Sequence, residues 1–135
     1  MCGIIGFNFK APQNSNYLSV ADYRGPDDTS SNTYGSFKLG HNRLSIIDLT
    51  VDANQPFVSN CGNFVIVFNG EVYNYNEVRK NLEGKYTFKT NSDTEVILYN
   101  YIEKKEKERK KTFHKIKLKR KAYLAKSGKN VRLKL

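Results

Sequence analysis

The chain has 135 residues, enough for one ordinary domain, so a second catalytic domain is expected on another polypeptide. Its hydrophobic share of 39% supports a buried core, and no apolar run approaches the roughly eighteen residues needed to cross a bilayer. The formal charge of +10 is unevenly placed: residues 1–103 carry 8 Lys and Arg against 11 Asp and Glu, net −3, whereas residues 104–135 carry 15 against 2, net +13. This break predicts a boundary at Glu103. Two cysteines, Cys2 and Cys61, make neither a disulfide framework nor a four-ligand zinc site, so no metal is expected. The N-terminus lacks the basic, apolar and small-residue order of a secretion signal, which predicts a cytoplasmic protein without a membrane partner.

Residues 2–9 (CGIIGFNF) are apolar with no capping residue ahead of them, and read as a buried strand. Residues 11–35 mix Pro, Asn, Ser, Asp and Gly, which predicts loop around one short helix at 17–22. Short strands are expected at 37–40, 44–47 and 64–68, the last (FVIVF) apolar enough to be central in its sheet. A helix over 75–82 follows Asn74, with Glu77 three residues on. A second helix starts at Ser92, with Glu95 completing a capping box ahead of VILYNYI, and 86–88 between the two helices reads as an edge strand. Strands mixed with a few helices make an α+β pattern. From Glu103 the run EKKEKERKKTFHKIKLKRK offers no core, and AYLA with VRLKL about Ser-Gly-Lys-Asn reads as a weak hairpin.

Chemistry is concentrated at a few positions. Removing Met1 would leave a thiol and a free α-amine on Cys2, and an amine of pKa about 7.7 to 8.0 takes up a proton near neutrality, so one residue supplies nucleophile and base. Taken alone, Cys2 reads as readily as a small buried hydrophobe opening a strand. Asn69-Gly70 offers a side-chain amide and an approachable backbone N–H, the donor pair an oxyanion needs, or else an ordinary turn. Arg43 has the forked geometry to grip a carboxylate and Asp93 the charge to hold an ammonium. Each also has a plain reading, Arg43 as a surface ion-pair partner and Asp93 as a first-turn acid favourable to the helix dipole. The RGPDD turn at 24–28 either fixes a loop over the thiol or is a charged turn. His41 reads as a hydrogen-bonded structural residue, and Cys61 as an inert loop residue.

Read together, MCGIIG at the start, RGPDD at 24–28, GHNRLSIIDL at 40–49, QPF at 55–57, NGEVYN at 69–74 and SDTEVIL at 92–98 resemble the glutaminase domain of asparagine synthase, a class II glutamine amidotransferase. NGEVYN and RGPDD look more like this branch than like the sugar-phosphate or purine-pathway amidotransferases. The resemblance covers residues 1–103 and implies an N-terminal nucleophile hydrolase-like fold, a four-layer sandwich of antiparallel sheets between helices. It implies Cys2 as the nucleophile, with Asn69 and Gly70 as the oxyanion hole. Arg43, Leu44, Ser45, Ile46 and Ile47 would line the site for L-glutamine, with Glu71 and Asp93 completing it. Tyr23 stands where the family often has His before RGP, and the segment between residues 9 and 23 is short for the family.

The later strands of the family are not recognisable after Glu103, so the sandwich is expected to be incomplete and residues 104–135 to be disordered or out of frame. No cofactor is implied for the glutaminase step itself; ATP and Mg2+ would belong to a synthetase domain, on another chain, that uses the ammonia to amidate aspartate. A homodimer is an open assembly. Two other readings compete: an inactive fragment, and a protein whose basic tail binds nucleic acid. The second is weakened by the lack of glycine–aromatic stacking motifs in the tail.

Overall fold

The computed structural model describes residues 1–8 and 17–116. The chain divides into two compact units, Met1–Asn100 and Tyr101–Leu135. In the first unit β1 (Gly3–Phe7) and β2 (Asp28–Tyr34) flank β3 (Phe37–Arg43), both antiparallel to it. A second antiparallel pair joins β4 (Phe57–Val58) to β5 (Val65–Ile66). Two short 3-10 helices, Ser19–Arg24 and Val51–Ala53, and the α-helices α1 (Tyr75–Leu82) and α2 (Asp93–Ile116) complete the order. The domain is a small mixed α+β structure with antiparallel sheets, as its alternation of element types predicts.

Several local expectations are corrected. Within the stretch expected to be mostly loop, DTSSNTY forms β2 and pairs along its whole length with β3. Its polar residues show no apolar alternation, so the pairing is set by the partner strand and by the turn. That turn is Gly35-Ser36, with Gly35 at φ +60°, the first central position of the hairpin turn that matches strand twist. The helix expected at 17–22 is a 3-10 helix displaced to Ser19–Arg24.

Residues 44–47 are not a strand. The amide N–H of Leu44 goes to the Cys2 sulfur and that of Ser45 to the Asp27 carboxylate, so neither is available to a ladder. FVIVF is not a central strand either: only Val65–Ile66 is extended, half-buried in a two-stranded sheet, and the Phe68 N–H turns to the Gln55 side chain. No strand forms at 86–88, where the Thr87 carbonyl accepts from Asn60 Nδ2.

The core gathers around the start of α2. Val96, Leu98 and Tyr99 are buried there, with Leu82 of α1, Phe57 of β4 and Ala53 also in the interior. Tyr99 stacks on Tyr86 with ring centroids 4.8 Å apart, takes the edge of Phe88 at 5.4 Å, and accepts a hydrogen bond at its hydroxyl from the Asn60 N–H. Such aromatic pairs add about 0.5–1.5 kcal/mol each beyond the area they bury.

The capping box is half realised. Ser92 Oγ accepts the Glu95 N–H at 3.3 Å, but the Glu95 carboxylate turns away from Ser92. It accepts the N–H of Lys89 at 3.0 Å and both the N–H and the hydroxyl of Thr90 at 2.7 Å. At α1, Asn74 makes no capping hydrogen bond through its side chain. Glu95 is wholly buried. Glu95→Ala is therefore expected to destabilise the fold by about 2–4 kcal/mol, since it strands buried donors, and Glu95→Gln by less. Urea unfolding measures both, and a variant within experimental error of wild type would refute the bracing role.

In the second unit the described residues continue α2 to Ile116. Residues 104–110 are exposed, with Lys105–Glu108 and Lys107–Glu103 pairs each at 3.2 Å. Pairs of this kind contribute only about 0–1 kcal/mol each, so they support a solvated helix rather than a core. The weak hairpin expected beyond residue 121 lies outside the described residues. No helix among the described residues is long and apolar enough to cross a membrane.

Candidate active site

Cys2 sits immediately before β1, where the antiparallel register Gly3↔Asn42 sets it beside the end of β3. Two glycines permit this placement. A Cβ on Gly3 would lie 2.6 Å from that of Ala21, and one on Gly25 would lie 2.2 Å from the Asn42 carbonyl oxygen, so the 3-10 helix and the RGP turn press directly on the sheet. The thiol is held on both sides by one residue: the Leu44 N–H donates to Sγ at 3.3 Å, and the Leu44 carbonyl lies 3.6 Å away as acceptor. Arg24 Nε donates to the Cys2 carbonyl at 3.1 Å, Asp27 N–H donates to the Arg43 carbonyl, and Asp27 Oδ2 accepts from Ser45. The RGPDD turn thus fixes the backbone around the thiol.

A cavity of about 320 Å³ opens beside Cys2. Its walls include Arg43, Leu44, Ile46 and Ile47 from one side, Asn69, Gly70 and Glu71 from the chain beyond β5, and Asp93 from the start of α2. Every residue predicted for the site except Ser45 therefore contributes to one wall or another. Ser45 is occupied through its N–H with Asp27 instead. The volume lies near the lower end of the range for small-ligand sites, which suits a free amino acid. Met1 also lines the cavity and is 75% exposed, within reach of an aminopeptidase.

Arg43 is buried and firmly held. Its guanidinium donates to the Thr50 carbonyl at 2.8 Å, to Asn54 Oδ1 and to the Asp48 carbonyl. Asp93 is buried as well, one of its carboxylate oxygens accepting the Val72 N–H at 3.0 Å. A cation and an anion so anchored present fixed charges to the cavity rather than mobile surface groups, which removes the surface ion-pair reading of Arg43.

Three residues at or near the cavity carry no assigned role in the sequence reading. Gln55, buried, donates from Nε2 to Thr94 Oγ1 at 3.2 Å and accepts the Phe68 N–H, tying the approach to Asn69 against α2. Thr94 lines the wall beside it. Asp48 has a positive φ of 56° and hydrogen bonds to both sides of the site. QPF and IIDL contain two of these residues, but nothing in their spacing marks them as supports.

His41, expected to be hydrogen-bonded, is wholly buried with neither ring nitrogen making a hydrogen bond among the described residues. Burial pushes its pKa below 6.5, opposed by the nearby Phe68 backbone and Asp28. It packs within β3 and does not line the cavity. Cys61 is exposed in its loop, with its sulfur 3.3 Å from Ser59 Oγ.

The family model for the glutamine amidotransferase domain matches residues 1–113. The chain belongs to the glutamine amidotransferase domain family. This amidotransferase domain resembles the N-terminal part of asparagine synthetases. It is 41% identical to Asparagine synthetase [glutamine-hydrolyzing] 2 of Bacillus subtilis, over 77% of this chain and 15% of that protein. It is 40% identical to Probable asparagine synthetase [glutamine-hydrolyzing] of Schizosaccharomyces pombe, over 76% of this chain and 20% of that protein. A similarity of 40% over 62% of this chain also relates it to Amidase chry2 of Gibberella zeae, of which it covers 13%. The chain thus spans a fifth or less of the length of each of these relatives, and the family match runs past Glu103 into the basic run.

Proposed function

We propose that this domain releases ammonia from L-glutamine through a thioester on Cys2. Removal of Met1 frees the α-amine, which accepts the thiol proton as Sγ attacks the side-chain carboxamide carbon. The tetrahedral oxyanion is stabilised by the Asn69 side-chain amide and the Gly70 N–H, donors that act most strongly where water is excluded. Collapse breaks the C–N bond, the α-ammonium returns its proton to the leaving nitrogen, and ammonia departs. Water then cleaves the thioester to give glutamate and restores the thiol. Arg43 holds the substrate carboxylate and Asp93 its ammonium, with Leu44 to Ile47 and Glu71 shaping the remaining walls.

The observation that carries this reading is the shared cavity, whose lining includes the thiol, the Asn-Gly pair, a forked cation and a buried carboxylate. The fold that accompanies it is the N-terminal nucleophile four-layer sandwich, of which the two antiparallel sheets would be parts. The names of the relatives support asparagine synthesis as the wider role. Ammonia would pass to a synthetase domain that amidates aspartate with ATP and Mg2+, residues 1–103 acting as the glutaminase portion and 104–135 as a basic appendage. The glutaminase step needs no cofactor of its own, and the setting is cytoplasmic.

The test combines two measurements on the purified chain, the mass of its N-terminus and the ammonia formed from L-glutamine. Loss of Met1 together with glutamine-dependent ammonia supports the reading. A processed N-terminus with no ammonia formed refutes it for this chain.

A further inference from the structure

The cavity has its cation on one wall and its anion on another, so something must set the gap between them. Arg43 lies at the end of β3 and Asp93 at the start of α2, far apart in the chain. Asp48 touches the supports of both. Its backbone carbonyl accepts from the Arg43 guanidinium. Its Oδ1 accepts the Thr50 N–H at 2.9 Å and the Thr50 hydroxyl at 2.6 Å, and the carbonyl of that same Thr50 is a second acceptor for Arg43. Its Oδ2 accepts the Asn91 N–H at 2.6 Å, two residues before Asp93.

We infer that the Asp48 carboxylate is a positioning residue for substrate selection, a clasp that sets the spacing of Arg43 and Asp93 to fit the carboxylate and ammonium of a free α-amino acid. The inference rests on the glutaminase reading and deepens it by naming what makes the site select an amino acid. Two further features agree. The positive φ of Asp48 turns its carbonyl toward Arg43, a conformation that few side chains other than Asn, Asp and Gly adopt at low cost. The hydrogen bonds from Thr50 and Asn91 hold its carboxyl below the usual carboxylate range, so the charged form is the one bound.

Asp48→Asn isolates the carboxylate. Asparagine tolerates the same backbone conformation and has nearly the same shape, but its amide offers a single acceptor oxygen. That oxygen can serve Thr50 or Asn91, not both, and the –NH₂ then faces a donor.

The test follows labelling of Cys2 in the full chain by two electrophiles, a diazoketone analogue of L-glutamine and iodoacetamide. The first carries the amino-acid carboxylate and ammonium; the second has neither and reports only thiol access and folding. For Asp48→Asn the efficiency of labelling by the glutamine analogue is expected to fall about tenfold or more, through weaker binding rather than a slower maximal rate, while iodoacetamide labelling stays near wild type.

Equal loss with both reagents, or no loss with either, overturns the inference. If the variant does not fold, Thr50→Val removes only the hydroxyl contact and should give a smaller loss confined to the glutamine analogue; no such loss overturns the inference. Wild-type protein labelled by iodoacetamide at Cys2 but not by the analogue would overturn the glutaminase reading itself, and the clasp with it.

Discussion

Replacing Cys2 with alanine is expected to take ammonia release from L-glutamine to background, a fall on the order of 10^4-fold or more, because the proposed nucleophile is removed. The thiol also takes part in packing, through its contacts with the N–H and carbonyl of Leu44. Those contacts are weak and partly buried, and losing them costs about 1 kcal/mol, within the range of ordinary hydrogen bonds. The variant should therefore unfold at nearly the denaturant concentration of wild type while losing all turnover. Continuous ammonia assay beside a urea melt separates the two quantities. Residual glutamine-dependent ammonia well above background in a folded Cys2→Ala chain would show that another group carries the reaction.

Asn69→Ala ranks second. Removing one of two oxyanion donors is expected to lower kcat by about 10^2 to 10^3, or about 2.7–4 kcal/mol of transition-state stabilisation. In the proposed role the donor acts on a charge that exists only after attack, so KM should change little. Gly70 would remain as the second donor, and the Phe68 ring, 2.7 Å from where a Cβ on Gly70 would lie, leaves room there only for glycine. Steady-state kinetics over a range of L-glutamine concentrations separates kcat from KM. A variant with unchanged kcat and raised KM would instead assign Asn69 to substrate binding.

Both predictions concern residues legible in the sequence, for a local reason. A thiol next to Met1, an Asn-Gly pair after an apolar run and an acid in a capped first turn each carry their chemistry within a few residues. The strand after the thiol, of which only Gly3 is buried although a buried strand was expected, the two α-helix starts and the mixed α+β class were readable on the same terms, since apolar runs and capping residues act over one turn or one strand. The supports of the site were not. Asp48 reaches Asn91 across 43 residues and Gln55 reaches Thr94 across 39, and no spacing rule connects such pairs.

The misread elements fail for a related reason. Residues 44–47 have strand composition, but the N–H groups of Leu44 and Ser45 are claimed by Cys2 and Asp27, each distant in the chain. β2 lacks apolar alternation yet pairs fully, because β3 supplies the partner groups and Gly35 the turn.

From the sequence alone came the candidate nucleophile, the candidate donors and the charged pair of the proposed chemistry, because side-chain type is chosen residue by residue. The assembly of these groups around one cavity, the burial of Arg43 and Asp93, and the hydrogen bonds of Asp48 to both sides were decided only in three dimensions. Hydrogen bonds between segments far apart in the chain depend on how the sheets and α2 pack, and packing is a property of the whole domain rather than of any one motif.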